Sequence, residues 1–202
     1  MSLSCACEVA HPPRLVVLTG GPGAGKTALL EIIRSSFCRH VVVLPEAASM
    51  LWQGGFPRRD SVSARRAAQR AIARIQLEMQ RLIIEDGTSA LIVCDRGTLD
   101  GAAYWPGEPE AFFEELGLDR DRELARYAAV IHLRPPGHDH GYQPTSVRTE
   151  SAVQAAAIDD RIYAAWEGHP HRTVVESNHD VLRKLERGVA LIREHVPACC
   201  RR

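Results

Sequence analysis

The chain has 202 residues, 45% of them hydrophobic, enough for one sizeable core with at most a small subdomain. Lys plus Arg and Asp plus Glu balance at 25 each, so no basic excess points to nucleic acid or to an anionic membrane surface, and small molecules become the expected partners. No apolar run approaches the roughly 18 residues of a membrane helix, and "MSLSCACEVAHPPR" lacks the basic start and apolar centre of a signal peptide, so a cytoplasmic location is expected.

Residues 1–13 read as a flexible tail and 197–202 as another, flanking one domain over 14–196. The cysteines stand at 5, 7, 38, 94, 199 and 200, in spacings that match no common zinc or redox motif. Those near the ends are expected as reduced thiols in frayed tails rather than as a metal site.

"RLVVLT" at 14–19 reads as a buried parallel strand, and "KTALLEIIRSSF" at 26–37 as an amphipathic helix. Between them Gly20, Gly25, Lys26 and Thr27 fit Gly-x4-Gly-Lys-[Ser/Thr], with Gly21, Pro22, Gly23, Ala24 and Ala28 completing the loop. Glycines let successive backbone N–H groups face phosphate oxygens, and the helix N-terminus adds partial positive charge. Lys26 is expected on the outer phosphates of a nucleotide and the Thr27 hydroxyl on the magnesium that bridges them. Only Lys26 and Lys184 are lysines, and the wide planar fork of arginine is not equivalent at this position.

"HVVVLPE" at 40–46 suits a second strand, ending in Glu46 as the acid expected to take a proton from an acceptor hydroxyl. "ASMLWQGGFPRRDS" forms a short helix closed by Gly54 and Gly55, with Phe56 and Arg58 in a substrate-side loop. Over 61–85, Ile72, Ile75, Met79, Leu82 and Ile83 fall on one face of a core helix, and Arg65, Arg66, Arg70 and Arg74 largely elsewhere, as a solvated surface.

"SALIVCD" at 89–95 is a third strand whose terminal Asp95 is the expected magnesium acid, with Arg96 either neutralising the transferring phosphate or pairing with an acid. Asp100 and Tyr104 follow in a segment suited to holding an acceptor. "AAVIHLR" at 128–134 is a fourth strand and "RTVVES" at 172–177 a fifth. Residues 135–168 between them read as a lid, in which Arg148 is the first candidate for a phosphate-directed arginine and Arg161 the second. Asn178 follows the fifth strand, where a base pocket would border. Five short apolar runs separated by helices imply a parallel α/β sheet, with ligands beyond the carboxyl ends of its strands.

"TGGPGAGKT", "LPEAASMLWQGGFPR", "DRGTLDGAAYWP", "GYQPTSVRTE" and "IDDRIYAAWEGHP" together resemble the small ATP-binding P-loop proteins of the AAA-domain type related to the nicotinamide riboside kinase domain, over residues 14–195. The resemblance implies a three-layer P-loop NTPase fold with sheet order 2-3-1-4-5, helices on both faces, ATP and Mg2+ as cofactors, and a lid between strands four and five. It places Lys26 and Thr27 at the phosphates, Glu46 beside the acceptor, Asp95 and Arg96 after strand three, and Arg148 in the lid. The acceptor does not carry over. A kinase acting on a small hydroxyl acceptor such as a nucleoside is the expected function, with an ATP-binding or slowly hydrolysing switch acting on a partner protein as the alternative. The chain contains no Asn-Lys-x-Asp guanine-reading motif, and Arg96 stands where an AAA-type motor would carry a glutamate. The oligomeric state is left open, a homodimer included.

Overall fold

The computed structural model describes residues 5–136, 152–177 and 180–201. Five parallel strands, β1 (Arg14–Thr19), β2 (Val41–Leu44), β3 (Leu91–Asp95), β4 (Tyr127–Leu133) and β5 (Arg172–Val175), form one sheet in the order β2-β3-β1-β4-β5. β1 lies at the centre, and its side chains alternate between two cores as a strand's period of two dictates. Val16 and Leu18 face α1 (Lys26–Ser36) and α8 (Val181–His195), packing with Leu29, Ile33 and Ile192. Leu15 and Val17 belong to the opposite core with Phe112, Ile162 and Trp166. These come from α5 (Glu110–Leu116) and from α7 (Ala152–Ala165) and the residue that follows it.

Short runs rich in β-branched and other apolar residues become strands because both faces of a central parallel strand are covered, and the one buried imidazole among them, His132 of β4, lies within hydrogen-bond distance of Asp159. The chain passes from one side of β1 to the other between β3 and β4, so a crevice opens beyond the carboxyl ends of β1 and β3. α2 (Ala47–Gln53), α3 (Val62–Asp86) and α4 (Asp100–Tyr104) gather around it. α6 (Arg120–Ala125) precedes β4, and its N-cap Asp119 accepts from Arg122 N at 2.8 Å.

α3 keeps part of its expected face, with Met79 and Ile83 packed against the core, and departs from it elsewhere. Leu82 is 57% exposed, and the buried positions of the helix are Ala68, Ala73, Gln76 and Gln80. The reason is what the helix packs against. Gln80 Nε2 donates to Tyr127 Oη at 3.1 Å and its Oε1 accepts from Arg126 Nη2 at 2.7 Å, while Gln76 Nε2 donates to the Arg96 carbonyl. Buried polar groups at a crevice need hydrogen-bond partners that aliphatic side chains cannot offer.

The two ends also differ from the expectation made for their cysteines. Cys7 and Cys200 are buried in the core that holds α1 and α8, and the segment before β1 lies against the 3-10 turn Ala198–Cys200. Both sit at the amino edge of the sheet, since one precedes β1 and the other follows α8. No described helix is long and apolar enough to cross a membrane.

Candidate functional site

The loop from Gly20 to Gly25 turns out of β1 through three glycines of positive φ, Gly20, Gly23 and Gly25, of which the first and last bear most on the site. Gly20 has φ 128°, and a Cβ there would lie 2.0 Å from the Leu133 carbonyl oxygen of the neighbouring strand. Gly25, at φ 93°, is the N-cap of α1 and gives the helix no side-chain cap, and no acidic residue stands in the first turn. The helix therefore offers backbone donors and partial positive charge to an anion, with no carboxylate competing for them. Lys26 Nζ donates to the Gly20 and Gly21 carbonyls at 2.7 and 3.0 Å, arching back over the loop. Burial, with help from Arg96, lowers its pKa to about 8, against the opposing pull of Asp95 and Glu46.

A cleft of about 470 Å³ opens from this loop. On the phosphate side it is lined by Pro22, Gly23, Ala24, Gly25, Lys26 and Thr27. Glu46, Asp95, Arg96 and Asp100 form its floor, and Arg58 and Tyr104 border it as well. Gly20 and Gly21 supply loop backbone behind this lining, and Ala28 is exposed on the first turn of α1. Phe56 is not among the lining residues. It stands edge-on to Trp52 at 5.9 Å, and Trp52, which sequence reasoning passed over, borders the cleft in its place with Arg58 stacked over its ring at 5.4 Å. Arg148 and Asn178 lie outside the described residues. Arg161 Nε donates to the Ala103 carbonyl at 2.9 Å, which ties α7 to α4.

Glu46 and Arg96 meet directly. Arg96 Nε donates to Glu46 Oε1 at 2.7 Å, and Ser49 Oγ donates to Glu46 Oε2. Burial pushes the Glu46 carboxyl up, yet the Arg96 charge and the two hydrogen bonds outweigh it and hold the pKa down at about 2. Arg96 itself sits at φ 71°, in the left-handed region that costs a side-chain-bearing residue on the order of 1 kcal/mol, and its backbone N–H donates to the Leu18 carbonyl at 3.0 Å. The strained turn is what aims its guanidinium back under the phosphate loop, 3.5 Å from the Gly20 carbonyl and 5.4 Å from the Tyr104 ring centre.

Asp100 is only 2% exposed. Its carboxylate accepts from the Thr19 hydroxyl, from Gly97 N at 2.9 Å, from Trp166 Nε1 at 3.1 Å and from Arg96 Nη1 at 3.4 Å. With both oxygens so engaged it holds the ends of β1 and β3 together, and the acceptor contact expected of it has no free oxygen to use. Besides Trp52, residues that sequence reasoning missed are of this supporting kind. Asp159 on α7 accepts from Gly21 N at 2.6 Å, lies 2.9 Å from His132 Nε2 and accepts from Arg134 Nη1 at 2.7 Å, so the first glycine turn is anchored to a helix 138 residues away. "IDDRIYAAWEGHP" contained both Asp159 and Trp166, but nothing local to that segment reveals a partner in the loop.

Asp95 stands apart from these satisfied groups. Its Oδ1 is sealed from solvent with no hydrogen-bond partner among the described residues, and burial, aided by Glu46 and Asp100 against Lys26 and Arg96, raises its pKa to about 6. An orphaned buried carboxylate oxygen beside a phosphate loop fits a divalent cation, which would supply the missing positive charge. Asp95 and Thr27 are the residues that would hold it. The two shifted groups predict the pH dependence. For a nucleotide turned over in this cleft, kcat/KM is expected to fall as pH drops through about 6, where Asp95 takes up a proton, and to fall again as pH rises through about 8, where Lys26 loses one. In kcat both limbs move outward, because bound metal and phosphate favour the charged forms. A kcat/KM profile flat from pH 5 to 9 would contradict both assignments.

Comparison with known proteins bears on the same features. The model of a family described as an AAA domain matches residues 15–184. No curated protein sequence matches the chain. Among solved structures, thymidylate kinase from Candida albicans superposes with a TM-score of 0.64 at 13% identity, covering 91% of this chain and 92% of its own. NadR protein in complex with NR gives 0.67 at 14% identity, over 92% of this chain and 52% of NadR. NadR in complex with NAD and AMP-PNP gives 0.62 at 15% identity, over 89% of this chain and 49% of NadR. The chain thus spans about half the length of NadR, and at these identities the likeness is one of fold.

Proposed function

The chain belongs to the AAA domain family, among nucleoside-kinase-like P-loop proteins, and on that premise we propose that it is a magnesium-dependent kinase that moves the γ-phosphoryl group of ATP onto a hydroxyl of a small, nucleoside-sized acceptor. The observation that supports this reading above a switch is the open half of the cleft. A protein that only binds and hydrolyses ATP has no need of a second concavity beside the phosphates. Here Glu46, Ser49, Trp52 and Arg58 on one side face Gln69, Ile72 and Gln76 of α3 on the other. An aromatic ring, two amides, an arginine and the aliphatic side chain of Ile72 suit a flat polar ring system carrying a hydroxyl.

In the proposed reaction the acceptor hydroxyl oxygen forms a bond to the γ-phosphorus, the bond from that phosphorus to the β–γ bridging oxygen breaks, and ADP leaves. Glu46 is ionised at every physiological pH and receives the hydroxyl's hydrogen bond, taking the proton as attack proceeds. Arg96, held by Glu46 and Asp100, places its charge beneath the transferring group. Lys26 moves its donors from the loop carbonyls to the outer phosphate oxygens. Asp95 and Thr27 are the residues that would hold a divalent ion, which would supply charge neutralisation at the phosphates. Neither nucleic acid nor a membrane surface is part of this proposal.

The test is ADP release from MgATP across a panel of nucleosides, nicotinamide riboside and other small hydroxyl compounds, each against a no-acceptor control. At least one compound is expected to stimulate release by about tenfold or more, with a phosphorylated product seen by mass spectrometry. Tight ATP binding with no stimulation by any member of the panel would favour the switch.

A further inference from the structure

The cysteines at the two ends form the most concentrated group of soft ligands in the described molecule, and they play no part in the cleft. The Cys7 thiol lies 3.3 Å from His11 Nε2, and Cys199 Sγ lies 3.2 Å from the same nitrogen. Cys199 Sγ and Cys200 Sγ are 3.9 Å apart. The ligand atoms of Cys7, His11, Cys199 and Cys200 all lie within 4.8 Å of one another. A second quartet, Cys5, Cys7, His40 and Cys200, meets the same limit, with Cys5 and Cys200 sulfurs 3.9 Å apart and Cys200 Sγ 3.4 Å from His40 Nδ1.

Those separations are informative. A disulfide needs about 2.05 Å between sulfurs, and all six cysteines are free thiols. Zn–S bonds of about 2.3 Å and Zn–N bonds of about 2.05 Å at tetrahedral angles put neighbouring sulfurs roughly 3.8 Å apart and sulfur and nitrogen roughly 3.5 Å apart. The observed edges fall at or near these values. Thiolate with imidazole is also a ligand set for zinc and not for the magnesium of a phosphate site. The ligands of the first quartet come from two places, 7–11 and 199–200, at opposite ends of the sequence, which a chance pairing of sequence neighbours alone does not produce.

We propose that Cys7, His11, Cys199 and Cys200 bind a zinc ion tetrahedrally, stapling both ends of the chain to the amino edge of the sheet. All four positions are protein side chains, so the site is closed and structural, with no coordination position for substrate. It lies at the opposite end of β1 from the phosphate loop, a strand of six residues or about 20 Å away. The second quartet shares Cys7 and Cys200 with the first, so an additional ion there would make those two thiolates bridges.

The experiment is metal analysis of the full chain purified under reducing conditions without chelator. About one zinc per chain is expected, and about two would mean that both quartets fill. His11→Ala and Cys199→Ser, at the less buried ligands, should each lower the zinc content severalfold while keeping the circular dichroism spectrum. Cys94→Ala, in β3 and outside both quartets, should retain it. For chain stripped of metal and refilled with Co2+, thiolate-to-cobalt absorption is expected and should weaken in the His11 and Cys199 variants. Less than about 0.1 zinc per chain together with no thiolate-to-cobalt absorption in the wild-type chain would overturn the proposal.

Discussion

Lys26→Ala lowers ATP-dependent turnover by about 10² to 10³-fold or more, the range lost when one preorganised donor to a developing anion is removed. The expectation rests on position. Lys26 is buried at the mouth of the phosphate loop, with Nζ 2.7 Å from the Gly20 carbonyl and no second lysine in the cleft to replace it. Burial depresses its pKa to about 8, which leaves it mostly protonated at neutral pH and close to the point where nucleotide must restore its full charge. Lys26→Arg is expected to rescue little, because a planar fork cannot follow the same arch over Gly20 and Gly21. Turnover assayed with saturating MgATP, beside a thermal melt showing that the variant is folded, decides the point. Wild-type turnover in the alanine variant would remove the phosphate-cradle assignment.

Glu46→Gln carries the second large effect. ATP affinity should stay within about threefold, while transfer to the acceptor falls by about 10² to 10⁴-fold, the usual share of a positioned proton acceptor. The wild-type carboxylate is held at about 2 by Arg96 and Ser49, so no limb of the pH profile above pH 4 belongs to it, and the variant should keep the wild-type limbs while losing height. The substitution also leaves Asp100, at the longer distance, as the carboxylate paired with Arg96 among the described residues, so a fall of a few degrees in Tm is expected. Unchanged transfer together with that fall in Tm would make Glu46 a partner for Arg96 and nothing more.

How far the sequence reaches depends on whether a residue's task is local. β1 runs over 14–19 and α1 starts at Lys26 as the apolar pattern and the loop motif require, because each depends on neighbours within a few positions. Glu46, Asp95 and Arg96 are legible for a related reason: an acid at the carboxyl end of an apolar strand in a parallel sheet points to the crevice by topology alone. Leu82 stands out of the core because periodicity names an apolar face but not what the face meets, and Phe56 stands off the cleft because a loop assignment does not say which of its side chains point inward. α3 meets the polar crevice with Gln76 and Gln80, and Phe56 supports Trp52 instead of reaching the cleft. Asp100, Asp159 and Trp166 act through hydrogen bonds to residues dozens of positions away, and spacing within a segment encodes none of those bonds. The meeting of Cys7 with Cys200 is of the same kind, a consequence of α8 returning to the edge from which β1 departs.

That shared edge has a practical meaning for anything attached to the chain. Residues 5 and 201 leave the domain on the side away from the cleft, so an affinity handle, a fluorophore or a surface tether placed at either end would leave the mouth between α2 and α3 facing bulk solvent. A molecule immobilised this way presents its nucleotide-facing side outward, and a reporter at one end together with a second at the other would sense separation of the ends while nucleotide and acceptor come and go undisturbed.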